Sequence, residues 1–263
     1  MFASAGGIFV RDARLAMTYR LQFALHWIGI AASVVALSFM AKLVSGRHLG
    51  IGGMSYFDYA LLNVAFLTLE AGALEGCEKV IRNDQLYGTL QTILATPTSL
   101  GVIALGSIAW SFLFALSQIA CFLAFGTMFG LRVDRIDPLS LGTFVILAIA
   151  ATVPLGILST AMVIVFKQGA PLQFILRNAA TILAGVLFPI ALLPGWLQHV
   201  SWLLPMTHVL SGVRGAFNGV ALTQLAPDAL WLAAVAFMLL PVSLFTFRLA
   251  IARAKFDGTL SHY

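Results

Sequence analysis

The chain has 263 residues, of which 60% are hydrophobic and only 10% are charged. A soluble domain has roughly a quarter of its residues charged, so this composition excludes a soluble globular protein and requires lipid around part of the apolar surface. The formal net charge is +5. Because the basic residues stand in short segments between apolar runs, they favour contact with an anionic cytoplasmic leaflet over nucleic acid.

Six apolar segments are long enough for a membrane span, which takes about 20 residues. The third lies in an uncharged stretch too long for one span, and Pro97 marks a break in it, so that helix is expected to begin near Leu100. The sequence therefore predicts an all-α integral membrane protein with one transmembrane domain over residues 1–263. The predicted spans run over about 21–41, 56–76, 100–131, 139–166, 172–193 and 229–247.

The distribution of Lys and Arg indicates the orientation of these spans. With the N-terminus inside, ten of the 15 basic residues fall on inner segments and five on outer segments, which is the bias typical of cytoplasmic loops. Six spans then place both termini in the cytoplasm. The inner residues are Arg11, Arg14, Arg20, Lys79, Arg82, Lys167, Arg177, Arg248, Arg253 and Lys255, and the outer residues are Lys42, Arg47, Arg132, Arg135 and Arg214.

The stretch 194–220, before the last span, is apolar but interrupted by prolines and glycines. It is too broken for a span and too apolar for a solvated loop. We therefore expect a re-entrant or interfacial helical hairpin covered by protein on the outer side. A plain extracellular loop is the alternative.

No motif for catalysis or metal binding is present in the sequence. It lacks a G-x-x-x-x-G-K-[ST] loop, an H-E-x-x-H pair and a G-x-S-x-G elbow. The five histidines do not pair at metal-ligand spacing, and each is expected to be an interfacial or packing residue. Cys77 and Cys121 fall in or beside apolar runs and are expected to be small buried residues. The sequence predicts no enzyme and no cofactor or metal on this chain.

Asn63 and Glu70 are deep polar residues of the second span, two helical turns apart. An ionised carboxylate at the bilayer centre costs roughly 3 kcal/mol or more. Glu70 is therefore expected to face protein, either on a substrate path that includes Asn63 or at a contact between helices. Glu75 lies nearer the cytoplasmic interface, where solvation accounts for it.

The segment after the second span, NDQLYGTLQTILATP at 83–97, predicts a short amphipathic helix. Leu86, Leu90 and Leu94 share one helical face, and Pro97 ends the helix. Such a helix can lie on the membrane surface or dock into a groove on a soluble partner. The periodicity alone leaves both interpretations open.

This segment resembles the coupling region of the ABC-2 family of ATP-binding-cassette exporter permeases. That region has an acidic run followed by Gly-Thr-Leu and, further on, a small residue before proline. The matching residues are Asp84, Gly88, Thr89, Leu90, Thr96 and Pro97, while Gln85, Leu86 and Tyr87 stand where the family commonly has charged residues. The resemblance implies that an ATPase is contacted by Asp84, Leu86, Gly88, Thr89, Leu90, Leu94 and Pro97.

Two further segments resemble the same family. Residues 187–217 are similar to its hairpin between the last two spans, which implies an outer hairpin over about 194–220 marked by Pro194, Trp196, Pro205 and Arg214. Residues 10–23 (VRDARLAMTYRLQF) look like its amphipathic elbow helix, expected over about 5–20.

The resemblance covers the whole chain and implies the membrane-spanning subunit of an ABC-2 exporter. Such a subunit dimerises with a second copy or a related permease and binds two ATP-binding-cassette ATPase subunits. ATP and magnesium would be bound by those partner chains. The cargo would be an amphipathic or lipidic molecule, a drug or a glycan precursor, and the location would be the plasma membrane, in bacteria the inner membrane.

Two other classes of protein are weighed against this interpretation. A secondary transporter or channel would need no ATPase and would use midplane ionisable residues or broken half-helices, whereas only Glu70 lies deep here and no internal repeat is visible. An intramembrane enzyme would need a polar catalytic constellation inside the spans, and the sequence offers none.

Overall fold

The computed structural model describes residues 6, 10, 14, 18, 20–44, 53–86, 100–166, 175, 178–179 and 181–256, with side chains at these positions except 22, 75–86, 100–108, 166 and 254–256. The described chain is helical, without strands. Its helices are α1 (Arg20–Val44), α2 (Tyr56–Leu86), α3 (Leu100–Met128), α4 (Pro138–Phe166), a 3₁₀ turn η1 (Ile190–Leu192), α5 (Gly195–Leu203), α6 (Pro205–Phe217) and α7 (Ala226–Phe256).

Five of these helices, α1, α2, α3, α4 and α7, are long and apolar enough to cross a membrane. They correspond to the first, second, third, fourth and sixth predicted spans, and α3 begins at Leu100 as Pro97 led us to expect. The fifth predicted span lies largely outside the described residues, so six spans remain a prediction. The predicted elbow helix also lies largely outside the described residues and remains a prediction, although the backbone is helical at positions 6, 10, 14 and 18.

The predicted end of the fifth span at Leu193 is wrong. The backbone is helical at 181–183 and then leaves the helix in a turn at Ala184. The physical reason is Gly185, whose φ of 72° lies in the left-handed region that ends many helices and that glycine adopts without a Cβ penalty. The segment 184–189, called here the break, follows that helix end and leads into η1.

Helix α2 lies at the centre of the bundle. Of its span residues 72% are buried inside the protein, against 17% for both α1 and α7. Glycines allow its neighbours to approach closely, as is usual between membrane helices. A Cβ on Gly156 of α4 would lie closer to the Ala73 carbonyl oxygen of α2 than the 3.0 Å that real Cβ contacts keep. On another side, Gly72 of α2 packs on Ala115 of α3.

Two helices joined at Leu204 occupy the stretch predicted as the outer hairpin. Pro194 is the N-cap of α5, and Pro205 stands in the first turn of α6, which is a position that suits proline. Helix α6 is largely buried, with nine of its 13 residues enclosed, whereas α5 buries only Ser201. The hairpin is therefore helical, with one arm inside the protein and one arm on its surface.

The hairpin lies at one end of the bundle, called here the hairpin end and formed by residues 53–58, 129–140 and 190–225. Hydrogen bonds tie these segments together. The Asp137 amide donates to the Ala216 carbonyl at 2.9 Å, and the Ser140 hydroxyl donates to the Val220 carbonyl at 3.1 Å. The opposite end carries the C-terminal ends of α2 and α4 and the start of α3.

Candidate functional site

Three polar side chains on one face of α2 bind the backbone of the break. The Tyr59 hydroxyl donates to the Gly185 carbonyl, the Asn63 amide donates to the carbonyls of Gly185 and Val186 at 3.1 and 3.0 Å, and the Tyr56 hydroxyl donates to the Leu187 carbonyl at 3.1 Å. Since a helix end leaves carbonyls without partners and lipid offers none, these donors make an irregular backbone possible here.

Arg214 of α6 joins the same cluster. Its guanidinium donates to the Asn63 side-chain oxygen at 3.3 Å and lies 5.0 Å from the centroid of the Tyr59 ring, which is a cation–π distance. The Asn63 side chain thus donates hydrogen bonds to the break through its amide nitrogen and accepts one from Arg214 of the hairpin through its oxygen. The sequence assigned Asn63 to a substrate path and Arg214 to the hairpin, and the structure brings the two into contact. We call Tyr56, Tyr59, Asn63 and Arg214 the α2 polar cluster.

Glu70 lies two turns from Asn63 towards the opposite end and is buried, with 5% of its surface exposed. Its Oε2 atom is enclosed and accepts no hydrogen bond from the described residues. It does not belong to the α2 polar cluster, and its side chain faces protein. Burial of a polar oxygen that has no donor among the described residues is costly.

The remaining predicted residues divide between the surface and the part of the chain that is not described. Trp196 on α5 is 69% exposed, as an aromatic residue at a membrane interface would be. Asp84 and Leu86 lie in the last turn of α2, which continues without interruption through residues 83–86. Gly88, Thr89, Leu90, Leu94 and Pro97 lie outside the described residues.

His208 of α6 occupies a site that the sequence did not reveal. Its Nδ1 lies 2.6 Å from an Asp228 carboxylate oxygen at the start of α7, its Nε2 lies 2.9 Å from the Trp202 carbonyl, and its ring stacks on Trp231 with centroids 4.2 Å apart. Both ring nitrogens face acceptors, which suits the protonated ring. Burial opposes protonation, but the hydrogen bonds to Asp228 and Trp202 outweigh it and raise the pKa of His208 above 6.5.

We expect the stability of the protein to fall when His208 loses its proton. Because the folded state raises the pKa of His208, this contribution is full below pH 6.5 and is lost as the pH rises through the raised value. The melting temperature of the wild type should therefore decline across this window more steeply than that of His208→Gln. The control is His199→Gln, which removes an exposed histidine of α5. Equal slopes for wild type and His208→Gln would contradict the assignment.

Among the described residues, five membrane-length helices include a central one, α2, that binds the break and the buried arm of the hairpin, and this arrangement defines a multi-pass helical membrane protein. The profile of the ABC-2 type transporter family matches residues 19–218, and the chain belongs to that family. The match includes the segment 83–97, the α2 polar cluster and the hairpin through Asn218. Among curated proteins, none matches this sequence. The chain is accordingly a transport permease of the ABC-2 type.

Proposed function

We propose that the chain is the membrane-spanning subunit of an exporter and that separate ATPase subunits drive it. The observation that carries the proposal is the family match over residues 19–218. ATP and magnesium are then bound by the partner ATPase chains. The permease pairs with a second copy or a related permease, and the translocation path runs between the two.

Helix α2 is the mechanical link in this proposal. It is continuous from Tyr56 to Leu86, 31 residues, or about 46 Å at 1.5 Å per residue. Its C-terminal turn carries Asp84 and Leu86 next to the proposed ATPase contact, and its N-terminal half carries Asn63 and the rest of the α2 polar cluster. Closure of the ATPase subunits would move the C-terminal end of α2. Because the helix is continuous, its N-terminal half, which binds the break and the hairpin, would move with it. That motion switches the path from inward to outward access.

The orientation and the cargo follow from the same assignment. The Lys and Arg distribution supports a cytoplasmic location for the termini and the segment 83–97, and the hairpin end is then the outer end. The protein lies in the plasma membrane, in bacteria the inner membrane. Because the enclosed helix faces are mainly apolar, with Asn63 and Glu70 as polar points on α2, an amphipathic or lipidic cargo fits the path.

We expect Glu70→Gln to insert and fold but to lower cargo-stimulated ATP hydrolysis by the reconstituted complex about tenfold or more. The Oε2 atom of Glu70 is buried and has no donor among the described residues, and a buried ionisable group in a membrane span commonly has a functional role. Glutamine keeps the size and shape of the side chain but removes the ionisable group. The measurement is ATP hydrolysis and transport in proteoliposomes with each ATPase partner present at equal amount.

Glu70→Leu distinguishes an effect on transport from an effect on folding in this experiment. The leucine relieves the unpaired oxygen, so its variant should assemble at least as well as the wild type while transporting poorly. Full transport by Glu70→Leu would show that Glu70 has no part in the path. Transport that proceeds at the wild-type rate without ATP would instead favour a secondary transporter.

A further inference from the structure

A polar pocket lies at the hairpin end, and its lining includes neither Glu70 nor any residue of the α2 polar cluster. It encloses about 200 Å³, room for roughly six water molecules. Three segments form it: the start of α2, the loop between α3 and α4, and the end of α6. Its lining residues are Gly53, Met54, Asp58, Arg132, Asp134, Arg135, Phe217 and Asn218.

The walls of this pocket are fixed by backbone contacts. Gly219, just after the Phe217–Asn218 wall, has a φ of 76°, and a Cβ there would lie 2.7 Å from the Arg135 carbonyl oxygen. The loop between α3 and α4 is therefore packed directly on the end of α6. The hydrogen bond from the Asp137 amide to the Ala216 carbonyl, described above, holds the same two segments together. The pocket is thus a built feature of the fold.

Asp58 is a buried, unsatisfied acceptor in this pocket. It is 4% exposed, and its Oδ1 atom is enclosed and has no hydrogen-bond donor among the described residues. Its backbone amide donates to the Ser55 hydroxyl at 3.0 Å, and its carboxylate lies beside Ser55, as in a capping box at a helix start, and beside the backbone amide of Arg132. These contacts leave Oδ1 without a hydrogen-bond donor among the described residues.

The charges around the pocket balance. Asp58 and Asp134 face Arg132 and Arg135, and among the described residues none of the four forms an ion pair within 4.0 Å. The two arginines disfavour a bare cation, and the two carboxylates disfavour a simple anion. A ligand that carries one positive and one negative group can interact with the two carboxylates and with the two arginines at the same time.

We infer that this pocket binds a zwitterion composed of a primary ammonium and a phosphate, the chemistry of an ethanolamine phospholipid headgroup. The ammonium donates hydrogen bonds to Asp58 Oδ1 and Asp134. The phosphate accepts from Arg132 and Arg135, since the guanidinium fork matches phosphate oxygens. A trimethylammonium group cannot donate to the Asp58 oxygen, so choline headgroups are excluded by the same geometry. The inference does not depend on the direction of transport or on an ATPase.

The test is native mass spectrometry of the full-length protein from nanodiscs that contain equal amounts of phosphatidylethanolamine, phosphatidylcholine and phosphatidylglycerol. The wild type should retain phosphatidylethanolamine at least tenfold over the other two lipids. Asp58→Asn should remove that preference, and so should Arg135→Gln, which changes an exposed loop side chain and leaves the helix cap intact. Arg20→Gln, which removes an exposed cation at the start of α1, is the matched control and should retain it.

A second experiment distinguishes a membrane phospholipid from a soluble molecule as the source of the ligand. Soluble phosphoethanolamine is titrated into detergent-purified wild type. Weak displacement of the lipid supports a membrane headgroup site, and tight binding that both variants abolish supports a soluble ligand of the same chemistry. Equal retention of all three lipids, retention of phosphatidylethanolamine by both variants, or displacement by sodium or calcium ions alone would overturn the inference.

Discussion

Gly156→Ala should destabilise the protein more than any other single methyl addition in α4. The added Cβ would overlap the Ala73 carbonyl oxygen, and a backbone atom of a central helix cannot rotate away as a side chain can. The helices α2 and α4 must then separate along their whole contact. Overpacking of this kind costs about 3 kcal/mol, which lowers the melting temperature by roughly 6–12 °C.

The matched control lies on the same helix. A Cβ on Gly142 would meet nothing within 4 Å, so Gly142→Ala adds the same methyl group without an overlap, and alanine is the better helix former. Its melting temperature should be unchanged or higher. The measurement is a thermal melt of both purified variants in one detergent. Equal melting temperatures for the two variants would mean that α2 and α4 do not cross at Gly156.

Leu90→Asp should release the ATPase from the permease. If the segment 83–97 docks into a groove on the ATPase, its apolar face supplies the anchors, and loss of a central anchor costs about 2 kcal/mol, roughly thirtyfold in affinity. Asp84 at the end of α2 would then face a basic residue of the ATPase. The expected result is a folded permease that purifies without its partner and does not transport.

Thr92→Asp is the control for this variant. It adds the same carboxylate to the polar face of the predicted helix, where an anchor residue is not expected, so ATPase binding should change little. Gly88→Trp gives an independent test, because a bulky side chain would block close approach of the helix backbone. If Leu90→Asp retains its full complement of ATPase and transports normally, this segment is not the coupling element and rests on lipid headgroups instead.

The long helices could be predicted from the sequence because span length and apolar runs are set by the bilayer. The predicted start of α3 near Leu100 agrees with the structure, and the predicted fourth span over about 139–166 agrees closely with α4 at Pro138–Phe166. The end of the fifth predicted helix was missed. Residues 184–193 continue the apolar run, but Gly185, whose φ is left-handed, and Pro189 are residue types that commonly follow the end of a helix, and they are the signal that could have located it.

The α2 polar cluster was found in part. Asn63 and Arg214 were selected because polar residues are rare in apolar segments, but their contact joins positions 151 residues apart, which periodicity within one helix cannot show. Tyr56 and Tyr59 donate hydroxyl hydrogen bonds to the break, and these contacts could not be predicted because they depend on where the break lies. His208 was missed because its partner Asp228 lies on another helix.

Purification of the wild-type permease from its native membranes in a mild detergent tests whether a separate ATPase drives it. The amount of ATP-binding-cassette ATPase that accompanies it is measured by quantitative mass spectrometry. Our account predicts two ATPase chains for every two permease chains, and ATP hydrolysis in the purified complex. Purification of the folded permease without any ATPase, from cells in which it transports its cargo, would contradict the account and favour a transporter that needs no ATP.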